Sequence, residues 1–288
     1  GDQNTVNTWW YVSNTSTAPV MITERRTPGF LGVITGTADV CEGASVTYST
    51  QTDPDATSYS WTTPTGTVTT ATPTITIDFT GAPIGIFTLK VQGINDCGAG
   101  PKSAVDLNIH ALPIASVTGP ASVCKNSTQN YQTQSGMSNY NWSISSGGTI
   151  TAGTGTNQIT VQWSGTGAQT ISIAYDDPFG CGVPTPFTKD ITVNEDPVPM
   201  ISGVPEICAN SQANYTGDPG MTGYTWGVTS GGTISSGSGT SNITVSWNTA
   251  GNDTVSLIFT DVNGCIAPVA TTFPVVVNPR PAINISGP

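Results

Sequence analysis

Along most of this chain polar and apolar residues alternate with a period of two. Ile159, Val161 and Trp163 are separated by Thr160 and Gln162, and Ile243, Val245 and Trp247 by Thr244 and Ser246. Residues 45–50, 170–175 and 254–259 follow the same rule. A period of two puts every second side chain on one face, so each segment predicts a half-buried strand. Thr, Val, Ile and aromatic residues fill these segments because side chains branched at Cβ pack well on a pleated surface. No ten-residue stretch carries an apolar stripe at helical spacing, and 33 Gly with 21 Pro break the chain often. Short strands with closely spaced turn signals predict an all-β sandwich architecture.

The pattern recurs at a longer period. Cysteines fall in three pairs, Cys41 with Cys97, Cys124 with Cys181 and Cys208 with Cys265, whose spacings agree to within one position. The first members, Cys41, Cys124 and Cys208, also follow one another at an interval constant to within one position. A Tyr stands seven positions after each (Tyr48, Tyr131, Tyr215), then Tyr-x-Trp (Tyr59 to Trp61, Tyr140 to Trp142, Tyr224 to Trp226), then a second aromatic (Phe79, Trp163, Trp247). One unit of about seven strands is therefore repeated in tandem, and an internal repeat must be read before any single motif. Trp61, Trp142, Trp226, Trp163 and Trp247 are the expected core anchors, since each brings a large apolar area to a small core. Units two and three share Ser-Gly-Gly-Thr-Ile after the first Trp, whereas unit one has Pro64, Thr65 and Gly66 there and Phe79 as its second aromatic.

Proline-bearing joints divide the units and read as semi-rigid spacers. The expected repeats are 32–113, 114–199 and 200–281. Residues 1–31 read as the closing hairpin of a preceding domain or as an N-terminal arm, and 282–288 as the start of a further repeat. The chain is thus read as a segment of something longer.

Composition narrows the function. Charged residues are 9% of the chain and the net charge is −11. An acidic surface poor in Lys and Arg repels phosphates, which argues against nucleic acid as a partner, and it gives no attraction to anionic lipid; direct membrane insertion is not expected. His110 is the only histidine, and the repeats share no constellation of acids, so neither a zinc site nor a catalytic centre is expected. Asp176 and Asp177 read as turn formers. Asp53 and Asp55 are the one candidate for calcium, which takes clustered oxygens. No other cofactor is implied.

Six regularly spaced cysteines in a Thr- and Ser-rich β chain imply an oxidising, extracytoplasmic setting. Two pairings stand. One closes each unit on itself: Cys41 with Cys97, Cys124 with Cys181, Cys208 with Cys265. In the strand order of an immunoglobulin-like sandwich, however, the first Cys precedes the second strand at one end of the domain and the second Cys follows the sixth strand at the other. A six-residue strand spans roughly 20 Å, whereas bridged Cα atoms lie within about 7 Å. Head-to-tail neighbours remove the conflict, which favours Cys41 with Cys181 and Cys124 with Cys265, leaving Cys97 and Cys208 to face outward.

The succession Val/Ile-Cys-x-x-Ser/Ala, Tyr, Tyr-x-Trp, Gly-Gly-Thr-Ile, Ile-Thr-Val-x-Trp and Gly-Cys resembles the PKD-like and Ig-like repeats of Bacteroidota surface proteins, best over 122–181 and 206–265. The resemblance implies tandem β-sandwiches in an extended array at the cell surface, in adhesins that include gliding-motility adhesins, in surface filaments, or as spacers of secreted enzymes. Export through the type IX system is implied by that company alone. Asp253-Thr254-Val255 is similar to the O-glycosylation site of these bacteria, which makes Thr254 a candidate. The leading expectation is a structural stalk or filament segment, not an enzyme, with neighbouring repeats or other copies as partners. The alternatives are a glycan- or protein-binding module and a spacer in a multidomain enzyme.

Overall fold

The computed structural model describes residues 26–281 and the backbone of residues 10–11 and 20–21. Trp10–Tyr11 pairs antiparallel with Val20–Met21. The remainder of the hairpin expected before residue 26, and the strand expected at 282–288, lie outside the described residues. The chain divides into two units. The first runs to Ile114 and includes Asp176–Pro184; the second comprises Ala115–Tyr175 and Thr185–Pro288. Among the described residues all regular elements are strands.

In the first unit, strands are lettered in repeat order: A′ Asp39–Cys41, B Ser45–Ser49, C Ser58–Thr63, C′ Gly66–Thr70, E Thr74–Asp78, F Gly85–Asn95 and G Ser103–His110. One sheet runs A′-G-F-C-C′ and the other is the B–E pair. Between them lie Tyr48, Trp61, Phe79, Leu89 and Leu107, each at most 1% exposed. Alternation along strand E, with Ile75 and Ile77 buried between exposed Thr74, Thr76 and Asp78, shows how the period of two builds this core.

In the second unit the second repeat has A′ Ser122–Cys124, B Thr128–Gln132, C Ser138–Ile144, D Gly148–Ala152, E Gln158–Trp163, F Gly167–Asp176 and G Phe187–Asn194. The third has A Ile201–Ser202, A′ Glu206–Cys208, B Ser211–Gly217, C Thr222–Val228, D Gly232–Ser236, E Asn242–Trp247, F Gly251–Thr260 and G Thr271–Asn278. Both pair A′-G-F-C in one sheet and B-E-D in the other.

Two departures from the expected strand plan have identifiable causes. The first is that the opening strand of each repeat changes sheets. Thr35 and Thr118 bridge to strand B, as does Ile201–Ser202, and four residues later the chain pairs with strand G, in parallel. The crossing passes over the Tyr that follows each first cysteine. A Cβ on Gly36, Gly119 or Gly203 would stand 2.2–2.4 Å from that ring, so only glycine fits. Beyond the glycine, the Tyr48 hydroxyl donates to the Thr37 carbonyl (3.0 Å) and the Tyr215 hydroxyl to the Val204 carbonyl (3.2 Å).

The second departure is that repeat one moves its fourth strand to the other sheet. Thr63 pairs with Gly66 across a two-residue turn of Pro64 and Thr65, and the chain returns beside strand C. In the other two repeats the chain leaves C and joins E. Gly148 and Gly232 make this possible, since a Cβ there would stand 2.7–2.8 Å from the Trp163 or Trp247 ring. Repeat one has neither the Gly-Gly pair nor the Trp.

Candidate functional site

A pair of cysteines recurs in each of the three repeats. The first cysteine of each ends strand A′, level with the last residue of strand G: Cys41 with His110, Cys124 with Asn194, Cys208 with Asn278. The turn that follows is built alike each time. The next amide donates to the strand-G carbonyl, Glu42 to His110 (2.9 Å), Lys125 to Asn194 (2.9 Å) and Ala209 to Asn278 (2.8 Å). The residue after that has positive φ, at 76° for Gly43, 57° for Asn126 and 59° for Asn210. Its amide donates to the end of strand E: Phe79, Trp163 or Trp247. Asn and Gly suit these positions because they bear the left-handed conformation at least cost.

The second cysteine sits in the turn between strands F and G. In repeats two and three this turn is Asp-x-x-Gly-Cys. Asp177 Oδ1 accepts the amides of Phe179 (2.9 Å) and Cys181 (2.8 Å), and Asp261 Oδ1 accepts those of Asn263 (2.9 Å) and Cys265 (2.8 Å). Gly180 and Gly264, at φ 84° and 82°, complete the reversal. Asp side chains make such turns by bonding the backbone two residues on. In repeat one the turn is tighter: Ile94 pairs with Ala99 and Asn95 with Gly98, and Asn95 Oδ1 accepts the Cys97 amide (2.9 Å).

Cys41 is bonded to Cys181 and Cys124 to Cys265, each with Cα atoms 5.5 Å apart. The alternative of a disulfide within each repeat is not what the structure contains, and the reason is distance. In repeat two Cys124 stands level with Asn194 at the end of strand G, while Cys181 precedes Phe187 at its beginning. Those ends are separated by seven residues, roughly 23 Å of strand. Cys181 and Cys265 are buried, at 1% and 0% exposure, whereas Cys97 and Cys208 are exposed and outside these two bonds.

Beside the first disulfide lies a contact that residue patterns did not reveal. His110 and Phe179 stack with ring centroids 3.7 Å apart and planes inclined by 17°. His110 Nε2 is 2.8 Å from Asp39 Oδ1. That hydrogen bond holds the Asp39 carboxyl below its ordinary range, with a second from Asn108 adding to it. Phe179, in the turn between strands F and G, thus has a partner within its own unit. At the second disulfide Asn194 and Asn263 occupy the equivalent positions, so the stack belongs to the first alone.

The other candidate residues have structural surroundings. Trp61, Trp163 and Trp247 are fully buried, and Trp142 and Trp226 are 8% exposed. The Trp61 indole donates to Thr70 Oγ1 (3.1 Å), that of Trp163 to the Tyr131 hydroxyl (3.2 Å), and those of Trp142 and Trp226 to the carbonyls of Thr156 and Thr240 (2.8 Å each). Asp53 spends Oδ2 on the Gly29 amide (2.8 Å) and Oδ1 on the Asp55 amide (2.7 Å), so the pair weighed for calcium forms a turn. Thr254 lies half-buried in strand F. Its neighbour Asp253 is buried and accepts from Thr229 Oγ1 (2.6 Å) and the Gly231 amide (3.1 Å), holding the Gly-Gly turn. Gln169 does the same in repeat two, accepting from Ser145 and Gly147.

The PKD-like domain model matches the chain three times, at residues 27–108, 110–189 and 194–275. No curated protein matches significantly. Solved structures show similarity at low identity. The D00–D0 domain of intimin is 15% identical over 57% of this chain and 99% of that one (TM-score 0.31). Invasin, a bacterial integrin-binding protein, is 15% identical over 86% and 60% (TM-score 0.29). The Bacteroides ovatus SGBP-B protein of a mixed-linkage glucan utilization locus, solved with a heptasaccharide, is 15% identical over 84% and 66% (TM-score 0.21). With three matches that span nearly all of its length, the chain belongs to the PKD-like domain family, as a tandem array of three.

Proposed function

We propose that the three repeats are a load-bearing stalk segment of an extracellular bacterial surface adhesin, in which disulfides tie each repeat to the next. The observation that carries this reading is the overlap of the two bonds along the chain. Cys41–Cys181 and Cys124–Cys265 enclose loops of 140 and 141 residues that share residues 124–181. From Arg26 to Pro281 the backbone has 255 residue steps. Through the two bonds the shortest covalent path uses 15 from Arg26 to Cys41, 57 between Cys181 and Cys124, and 16 from Cys265 to Pro281. Those 88 steps limit the extension at any force, even with every repeat unfolded.

Two further features support a mechanical role. Strand A′ at the start of each repeat runs parallel to strand G at its end. Where the disulfides are reduced, pulling the two ends of a repeat apart therefore loads these hydrogen bonds together, in shear, instead of opening them one by one. The buried cysteines of an Asp-x-x-Gly-Cys turn also suit an oxidising exterior, where disulfides persist. The resemblance to surface-adhesin repeats supports this setting, and in this reading the short proline joints between repeats stiffen the array.

Single-molecule stretching tests the reading. With the disulfides intact, full extension should fall short of the reduced chain by the difference between 255 and 88 steps, about two thirds of the length. At about 3.3–3.6 Å per residue that is roughly 550–600 Å. Equal extension with and without reductant would refute the load-bearing role.

A further inference from the structure

Cys208 occupies a bonding position whose two counterparts are both bonded. Cys41, Cys124 and Cys208 each end strand A′ opposite the last residue of strand G. Each is followed by the same hydrogen-bonded turn, with Gly43, Asn126 or Asn210 at positive φ. In the first two cases the thiol is joined to the cysteine of an Asp-x-x-Gly-Cys turn between strands F and G of the next repeat. The turn covers the site: Cys41 and Cys124 are half-buried, whereas Cys208 is exposed. The difference at Cys208 is therefore in its cover and not in its cradle. Arg280 braces that cradle, with Nε 3.1 Å from the Ala209 carbonyl and Nη2 3.3 Å from that of Asn210.

We propose that Cys208 is half of a third disulfide of the same kind, and that its partner is the F–G-turn cysteine of another PKD-like repeat. The proposal deepens the load-bearing reading and rests on it. The chemistry of the partner follows from the two bonded examples. It is a five-residue turn whose Asp carboxylate takes the amides of its third and fifth residues and whose fifth residue is cysteine. Two sources can present such a thiol: a repeat further along a longer chain, or the first repeat of a second copy. The second source uses Cys97, which lies in the corresponding but tighter turn. Repetition of the Cys41 and Cys124 arrangement favours the longer turn, and so the first source.

The bond forms by thiol–disulfide exchange. The Cys208 thiolate attacks a disulfide oxidant of the oxidoreductase or glutathione class, and one sulfur of that oxidant leaves as a thiolate. The partner thiolate then attacks the mixed disulfide and releases the second sulfur. Two protein thiols thus lose two protons and two electrons, and the oxidant gains them as two thiols.

The test is to isolate the protein from its producing cells, with N-ethylmaleimide present at lysis, and to map its peptides without reduction. A Cys208 peptide joined to a turn cysteine outside residues 1–288 supports the proposal with a repeat of the same chain. A peptide joining Cys208 to Cys97, together with a non-reduced species of twice the mass or more, supports it with a second copy. Cys208 found alkylated, glutathionylated or bonded to another Cys208 overturns it. If the Cys41–Cys181 and Cys124–Cys265 peptides are found at the same time, the load-bearing reading survives that failure. If they are missing, both fall. Cys208→Ser should abolish the third linkage and leave the other two in full yield.

Discussion

At the scale of single residues, aromatic side chains set the stability of each repeat. Trp163 is fully buried, and its ring stands nearly perpendicular to that of Tyr131 with centroids 6.2 Å apart. Trp163→Ala removes that area and leaves a cavity, and should lower the stability of the second repeat by about 3–5 kcal/mol in denaturant titration. Trp163→Phe should cost distinctly less, since Phe79 fills the same place in repeat one. The tyrosines beneath the sheet crossing give a pH signature. Burial pushes the Tyr48 hydroxyl up to about 12, and raises those of Tyr131 and Tyr215 as well. A raised value means the folded state holds the proton more tightly than the unfolded state. The stabilisation is therefore full below pH 10, the ordinary value for tyrosine, and is lost as pH rises through 10 toward 12. Absorbance at 295 nm should show these phenols ionising later than exposed ones, together with unfolding. Phenols that all ionise near pH 10 in a folded chain would contradict the burial.

At the scale of elements, the turns place the cysteines. Asp177 collects two amides and so shapes the loop that carries Cys181. Asp177→Ala should loosen that loop by about 1–2 kcal/mol, the range of one or two hydrogen bonds to a charged acceptor at the surface. The Cys41–Cys181 bond should then reduce more readily, by a factor of roughly 10, in a glutathione titration read by mass spectrometry, with Cys124–Cys265 unchanged. Asp261→Ala should have the mirror effect.

Much of this level was legible in the sequence. Alternation marked the strands because each sheet has one buried face, and the internal repeat marked where units recur. The shift of the fourth strand in repeat one was not legible, although its cause was visible as Pro64, Thr65 and Gly66 in place of Gly-Gly. Alternation reports which face of a strand is buried, and Gly66–Thr70 is exposed at four of its five positions, so pattern alone does not assign it to a sheet. Choice of neighbour was decided by whether the backbone could pass over the second aromatic. The split of the opening strand was hidden for a related reason: a two-residue pairing is too short to leave a periodic trace. The His110–Phe179 stack joins residues 69 positions apart, and no local pattern encodes such a contact.

At the scale of the whole molecule, the two disulfides act together and their removal is not additive. With Cys41→Ser, the shortest path from Arg26 to Pro281 runs along the chain to Cys124 and then crosses to Cys265, 114 steps in place of 88. The maximum extension should grow by 26 residues, about 85–95 Å. With both bonds removed the gain is the whole difference between 255 and 88 steps. Force–extension curves of the single and double variants should therefore show two small steps and one large one. Gains of the two single variants that add up to the gain of the double variant would mean that the loops do not overlap as described.

The sequence by itself determined the strands, the core aromatics and the tandem repeat, because these depend on spacing along one chain and on the chemistry of side chains that face a common core. It also set the cysteine ladder, but left two ways of closing it. Only the tertiary structure chose between them. Strand A′ pairs in parallel with strand G, which carries the first cysteine to one end of the repeat while the F–G turn holds the second at the other. A disulfide spans about 5.5 Å between Cα atoms, a strand of eight residues more than 20 Å, and so each closed rung links one repeat to the next.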